Sequence, residues 1–223
     1  MKRILSGALV LYSLLGAIAQ TDMTGKVFVF PKESLVHHVL LIPQMKKPLQ
    51  NFTVCLRAYT DLTRSFSLFS YATRENHNEL LLFRPRVGEY DLYIGNEKVS
   101  FKVNDDLSFP VHFCVSWESA TGIAELWIND KPLVRKGLKK GYSVGAQAKI
   151  VLGQEQDSFG GSFESSQSFV GEIGEVHMWD FVLSPHQVHS LYKRETLSAN
   201  ILDWGALNYE IKGYVVIKPQ LLS

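Results

Sequence analysis

Val111-His112-Phe113-Cys114-Val115-Ser116-Trp117-Glu118-Ser119 is the stretch that decides the fold. Val111, Phe113, Val115 and Trp117 alternate with His112, Cys114, Ser116 and Glu118, the period of two that marks a strand with one deeply buried face. Cys114 falls on the less apolar face. The other cysteine, Cys55, lies between Phe52 and Tyr59, where Phe52, Val54, Leu56 and Ala58 form the apolar set. It too lies opposite that set, beside Thr53 and Arg57. Two such strands side by side present their cysteines to each other.

Outward from this strand, the same pattern recurs at short intervals. Strands are expected over Lys26 to Phe30, Val39 to Ile42, Ser65 to Tyr71, Glu79 to Phe83, Glu89 to Ile94 and Lys98 to Val103. Gly95-Asn96 between two of them signals a tight hairpin. Further strands are expected over Ile123 to Ile128, Lys149 to Leu152, Ser168 to Trp179 and Gly213 to Lys218. One helix interrupts them. Ser184-Pro185-His186-Gln187 supplies a cap, a proline at the first helical position and a capping-box Gln. Val188, Leu191 and Tyr192 then repeat at helical spacing. Many short strands without interleaved helices predict an all-β antiparallel sandwich, with this short amphipathic helix across one face.

Lys2 and Arg3 precede an apolar run from Ile4 to Ile18, and Ala17-Ile18-Ala19 offers small residues for cleavage. A signal peptide is therefore expected over residues 1–19, leaving a secreted domain over 20–223. No later stretch is long and apolar enough for a transmembrane segment. Without Lys2 and Arg3 the charge balance is 21 basic against 22 acidic residues. That excludes a global electrostatic pull toward nucleic acid or membrane. In an oxidising compartment two cysteines most simply form one disulfide, Cys55 to Cys114, the alternative being two buried thiols. Closing a loop of that length contributes about 4 kcal/mol on the chain-entropy model. Asn51-Phe52-Thr53 is a glycosylation acceptor in the same compartment, and Asn51 is expected to be exposed.

The loop Gly153-Gln154-Glu155-Gln156-Asp157-Ser158-Phe159-Gly160-Gly161, reaching on to Gln167, is the candidate site. Glu155 and Asp157 flank Gln156, and no Lys or Arg lies within the loop. Oxygen-only donors on a flexible loop suit calcium; the alternative is a solvated acidic turn. Zinc is not indicated, because neither His37-His38 nor His186 and His189 has acidic or cysteine partners in sequence.

His112-x-Cys114-x-Ser116-Trp117-x-Ser119 resembles the signature of the pentraxin family, and the resemblance runs from about Thr21 to the C-terminus. It implies a legume-lectin-like jelly roll and two calcium ions per subunit. By that resemblance Asn78, Glu155, Asp157 and the main-chain oxygen of Gln156 hold the first ion. Glu155 and Asp157 bridge to the second, which Gln167 completes. Where the family usually has Asp, this chain has His77, so a weaker first site is expected unless water or Glu79 supplies the missing oxygen.

The resemblance also implies a small apolar pocket lined by Leu81, Phe83 and Tyr93 with Lys98 at its edge; periodicity alone is equally compatible with ordinary core. Some members have an acidic residue in place of Lys98. A lysine there meets a trimethylated ammonium with like charge, so phosphoethanolamine is expected to bind more tightly than phosphocholine. The implied protein is a secreted pattern-recognition lectin. It would form a homopentamer, single or stacked as a decamer, and bind phosphoethanolamine, acidic or anionic sugars, amyloid fibrils and chromatin DNA. Complement and Fc receptors would engage the other face. The competing reading is a glycoside hydrolase on a lectin-like sandwich, with Glu155 and Asp157 as its carboxylate pair. Against it, the sequence offers no third group to raise one pKa.

Overall fold

The structure, a computed structural model, describes residues 20–104 and 109–221. The signal peptide expected over residues 1–19 lies outside the described residues. In chain order the first strands are β1 (Lys26–Phe30), β2 (His38–Ile42), β3 (Asn51–Tyr59), β4 (Phe66–Ala72) and β5 (Leu80–Arg86). Next come β6 (Glu89–Ile94), β7 (Glu97–Lys102), β8 (Val111–Glu118), β9 (Ile123–Ile128), β10 (Lys131–Pro132) and β11 (Lys136–Gly137). The chain continues with β12 (Lys149–Leu152), β13 (Gly171–Trp179), the helix α1 (Pro185–Tyr192), β14 (Asn208–Lys212) and β15 (Val216–Pro219). No helix among the described residues is long and apolar enough to cross a membrane.

Two antiparallel sheets face each other. One runs β10-β9-β8-β3-β13-β1-β15, with β11 also on β9; the other runs β14-β2-β12-β4-β5-β6-β7. Between them lie the inward residues of both, among them Phe28, Phe52, Val54, Leu56, Phe113, Val115 and Trp117 from one sheet. Leu80, Leu82, Leu92, Ile94 and Phe101 come from the other. This is the expected sandwich, and period-two burial builds it. Trp117 is fully buried, and its indole N–H donates to the Leu138 carbonyl at 2.8 Å.

β3 and β8 pair with Cys55 directly opposite Cys114, and the two are joined as a disulfide. The cysteine face is covered in its turn. Val188 and Leu191 of α1 pack with Leu183, Trp179 and the disulfide in a second, smaller apolar cluster. Ser184 caps the helix as expected, its hydroxyl accepting from the Gln187 N–H while the Gln187 side chain accepts from the Ser184 N–H. The hairpin turn at Gly95-Asn96 has φ of +52° and +65°. A Cβ on Gly95 would sit 2.8 Å from the Tyr142 ring, so glycine is required there.

Some expectations need correction. The last segment is two strands where one was expected over Gly213 to Lys218: β14 pairs with β2, Gly213 turns at φ +70°, and β15 crosses to pair with β1 in the other sheet. β13 begins at Gly171 and not at Ser168. Asn51 is half-buried, because it already pairs with Glu118 at the start of β3. His189 does have an acidic partner, Asp130, whose carboxylate lies 2.5 Å from Nδ1.

His112 is buried under α1, with Nε2 3.5 Å from the Cys114 sulfur. Burial, reinforced by the charges of Arg57, His177 and Arg194, pushes its pKa down to about 3. The ring is therefore neutral in the fold and titrates near 6.5 once unfolded. Because the folded value is the lower one, the contribution is complete above about pH 6.5 and is lost as pH falls toward 3. Stability therefore declines across that window as the unfolded chain takes up a proton that the folded one does not. Denaturant titrations at pH 6.5 and 4.5 should show a shallower loss for His112→Gln than for the parent chain; parallel losses would remove His112 from the account.

Candidate metal and ligand site

The site grows out of strand register on the outer face of the seven-stranded sheet. Leu81 on β5 stands opposite Tyr93 on β6, and Tyr93 opposite Lys98 on β7. One row along, Phe83 stands opposite Asp91, and Asp91 opposite Ser100. Alternate residues Leu80, Leu82, Leu92 and Ile94 point into the core, so Leu81, Phe83, Tyr93 and Lys98 share the outward face. Leu81 is buried yet lies outside the core cluster; Phe83 and Tyr93 are half-buried. The four residues expected in the pocket are thus brought onto one patch.

Register also shows a residue that the sequence reading missed. Asp91 accepts a hydrogen bond from Lys98 Nζ at 2.6 Å, with the Asp91 side chain 0% exposed and that of Lys98 47% exposed. This bond is the main cause of the raised Lys98 pKa. Nζ also lies 5.6 Å from the Tyr93 ring centroid. Lys98 is therefore not an isolated positive charge. The only sequence clue to Asp91 is its place in the β6 alternation, which names a face but no partner.

The acidic loop is fastened beside this patch. It opens at Gly153, φ +89°, where a Cβ would lie 2.2 Å from the Phe30 ring; no other residue fits. Gln154, Glu155 and Gln156 are all buried. Gln154 Nε2 donates to the carbonyls of Ser34 (2.7 Å) and His37 (3.1 Å). Gln156 Nε2 donates to the carbonyls of Ser70 and Lys149, both at 3.0 Å, and its Oε1 accepts from the Gly160 N–H at 2.9 Å. Ser70 on β4 is the register partner of Leu81, so the loop sits against the first pocket row. Asn78 is held from the other side: its N–H donates to Asn96 Oδ1 at 3.1 Å, and its carbonyl accepts from the Asn96 N–H at 3.0 Å.

Between the two glutamines, Glu155 carries the electrostatic load. Burial first, then the charges of Asp157 and Glu164, push its carboxyl up to about 7. Glu164 is the third group that the sequence reading did not find, because the loop must fold back before the two carboxylates meet. Asp157 itself is exposed. Glu155 Oε2, Asn78 Oδ1 and Gln167 Oε1 are buried with no hydrogen-bond partner among the described residues. Gln167 ends a single turn of 3-10 helix, Ser165–Gln167. Two cations from outside the loop stack on its aromatic residue: Arg74 and Lys149 lie 4.8 and 4.9 Å from the Phe159 ring centroid.

His77 is exposed. Glu79, one of the options left open by the sequence for the missing oxygen, is engaged within the fold. Its buried carboxylate accepts from the Gly145 N–H (2.6 Å), the Tyr142 hydroxyl (2.8 Å) and Asn76 Nδ2 (2.9 Å). All of these bonds tie it to the chain and none to the site.

The Pentaxin (pentraxin) family model matches residues 26–219. Among individual proteins, the chain is 64% identical over 210 residues to the serum amyloid P-component of Homo sapiens, covering 94% of each chain. It is 55% identical over 213 residues to the C-reactive protein of Sus scrofa, covering 96% of each. A solved structure, the native heptameric SAP-like pentraxin from Limulus polyphemus, superposes with a TM-score of 0.80 at 23% identity, covering 91% of this chain and 98% of that one. At that identity the likeness speaks to the fold alone.

The anchoring role of Gln156 is open to direct test. Gln156→Ala strands the carbonyls of Ser70 and Lys149 and frees the Gly160 N–H, so stability should fall by about 1–3 kcal/mol. The loop should also become the first point of cleavage in limited proteolysis under chelator. Unchanged stability together with an intact loop would show that Gln156 is not the anchor.

Proposed function

The chain belongs to the pentaxin family, and on that premise we propose that it is a secreted, calcium-dependent pattern-recognition lectin. Pentaxin relatives are calcium-binding proteins that act by binding and not as enzymes. What carries the reading in this chain is the set of three buried oxygens without partners, Asn78 Oδ1, Glu155 Oε2 and Gln167 Oε1. Buried polar atoms are almost always satisfied. Three orphans on residues that the family pattern assigns to calcium fit a hard cation. The neighbouring carboxylates of Glu155 and Asp157 fit it as well, since they otherwise repel each other.

The donor set divides in two. Asn78, Glu155, Asp157 and the main-chain oxygen of Gln156 would hold the first ion; Glu155 and Asp157 would also serve the second, together with Gln167. Calcium bound there would supply positive charge for phosphate or carboxylate oxygens of a ligand. Leu81, Phe83 and Tyr93 then cover the apolar part of the ligand, and the Lys98–Asp91 pair borders it. The ligands are phosphoethanolamine groups, acidic or pyruvylated sugars, amyloid fibrils and chromatin DNA. Residues 1–19 direct secretion and Asn51 carries a glycan. Five subunits form a ring, stacked in pairs or single, which turns weak contacts into avid attachment to repetitive surfaces. Complement and Fc receptors engage the α1 side.

The glycoside-hydrolase reading has one observation in its favour, the Glu155 carboxyl raised to about 7, as a general acid requires. The same shift is what a calcium ligand shows before its ion arrives, and the family consists of binding proteins. The lectin reading is therefore preferred.

Retention on a phosphoethanolamine matrix with calcium, and release by chelator, tests metal, pocket and class together. Glu155→Gln removes a ligand shared by both ions and should abolish retention while leaving the thermal unfolding profile largely intact; normal retention would overturn the assignment. His77→Asp adds a carboxylate beside Asn78 and should raise calcium affinity on the order of tenfold. Calorimetry with calcium alone reads this, and equal affinities would mean that position 77 contributes no ligand.

A further inference from the structure

Strand register makes the pocket a block of four outward side chains, of which only three are apolar. Leu81 and Phe83 are two apart on β5, and their partners on β6 are Tyr93 and Asp91. Asp91 is thus the fourth corner. Its side chain is wholly buried. Oδ2 accepts from Lys98 Nζ, but Oδ1 is buried with no donor among the described residues. A charged oxygen left in that state is costly, and a ligand that brings an N–H to it gains the difference. Lys98 cannot serve both oxygens from its present position, since its Nζ lies against Oδ2 and over the Tyr93 ring.

We propose that Asp91 is the residue that selects a primary ammonium on the ligand, by accepting one of its N–H groups at Oδ1. The assignment rests on the phosphate-ester reading given above and deepens it. A primary ammonium carries three N–H donors; a trimethylammonium carries none and cannot satisfy the oxygen. Discrimination between the two then comes from the empty acceptor. Repulsion by Lys98 is secondary, because Asp91 already balances that charge.

The test uses full-length calcium-loaded protein and calorimetry with O-phosphoethanolamine, ethyl phosphate and phosphocholine. Ethyl phosphate has the same phosphate and no amine. The parent chain should bind phosphoethanolamine about tenfold more tightly than either of the other two, the gain of one charge-assisted hydrogen bond. In Asp91→Asn that ratio should fall below about threefold. A ratio near one in the parent chain, or a tenfold ratio that survives in Asp91→Asn, overturns the proposal. Should Asp91→Asn fail to fold, N-methyl and N,N-dimethyl phosphoethanolamine on the parent chain decide the matter. Affinity should persist while one N–H remains and drop with the third methyl; an even decline with each methyl overturns it. Failure of all the esters to bind in calcium marks failure of the phosphate-ester reading itself, a distinct result that removes this proposal with it.

Discussion

Two buried glutamine side chains determine where Glu155 goes. Gln154 is tied to the carbonyls of Ser34 and His37, and Gln156 to those of Ser70 and Lys149. The residue between them has no freedom to swing into water. A carboxylate that would ordinarily stay hydrated is drawn into a dry loop next to Asp157 and Glu164. Neutral amides are suited to this anchoring. They supply donors without adding a charge that would quench the carboxylate, which is why the loop can be both rigidly placed and electrostatically unsatisfied.

The rest of the molecule positions that loop. The seven-stranded sheet sets the rows of the pocket, and the glycine at 153 lets the chain leave β12 past the Phe30 ring. The Asn78–Asn96 pair clips the neighbouring hairpin turn to the segment before β5. Beneath, aromatic and aliphatic side chains of both sheets interlock, with Trp117 fixed by its bond to Leu138. Long-range pairing of β3 with β8, pinned by the disulfide, makes the layer on which α1 rests.

Elements with local signals were legible in the sequence. The Val111 to Glu118 alternation, the Gly95-Asn96 turn and the Ser184 capping box each depend on residues within a few positions of one another. The β14–β15 division was not legible, because Tyr209 and Ile211 alternate weakly and only the pairing with β2 makes them a strand. At the site, the proposed ligand residues came from a family pattern, not from spacing. Asp91 and Glu164 stayed hidden for a plain physical reason. The partners that give them meaning, Lys98 at seven residues and Glu155 at nine, meet them only through register and loop closure. The role of Glu79 was left open for a similar reason, since its partners Tyr142 and Gly145 lie on a distant segment.

The helix and the acidic loop sit on opposite outer faces, with a two-sheet core about 10 Å thick between them. Substitutions that far apart and without shared partners add nearly independently. Substitutions in the loop and the patch beside it therefore leave the α1 surface undisturbed. Those on the α1 surface equally leave the loop undisturbed. Such a scaffold supports divergence at two separate rates, one for each side of the same subunit.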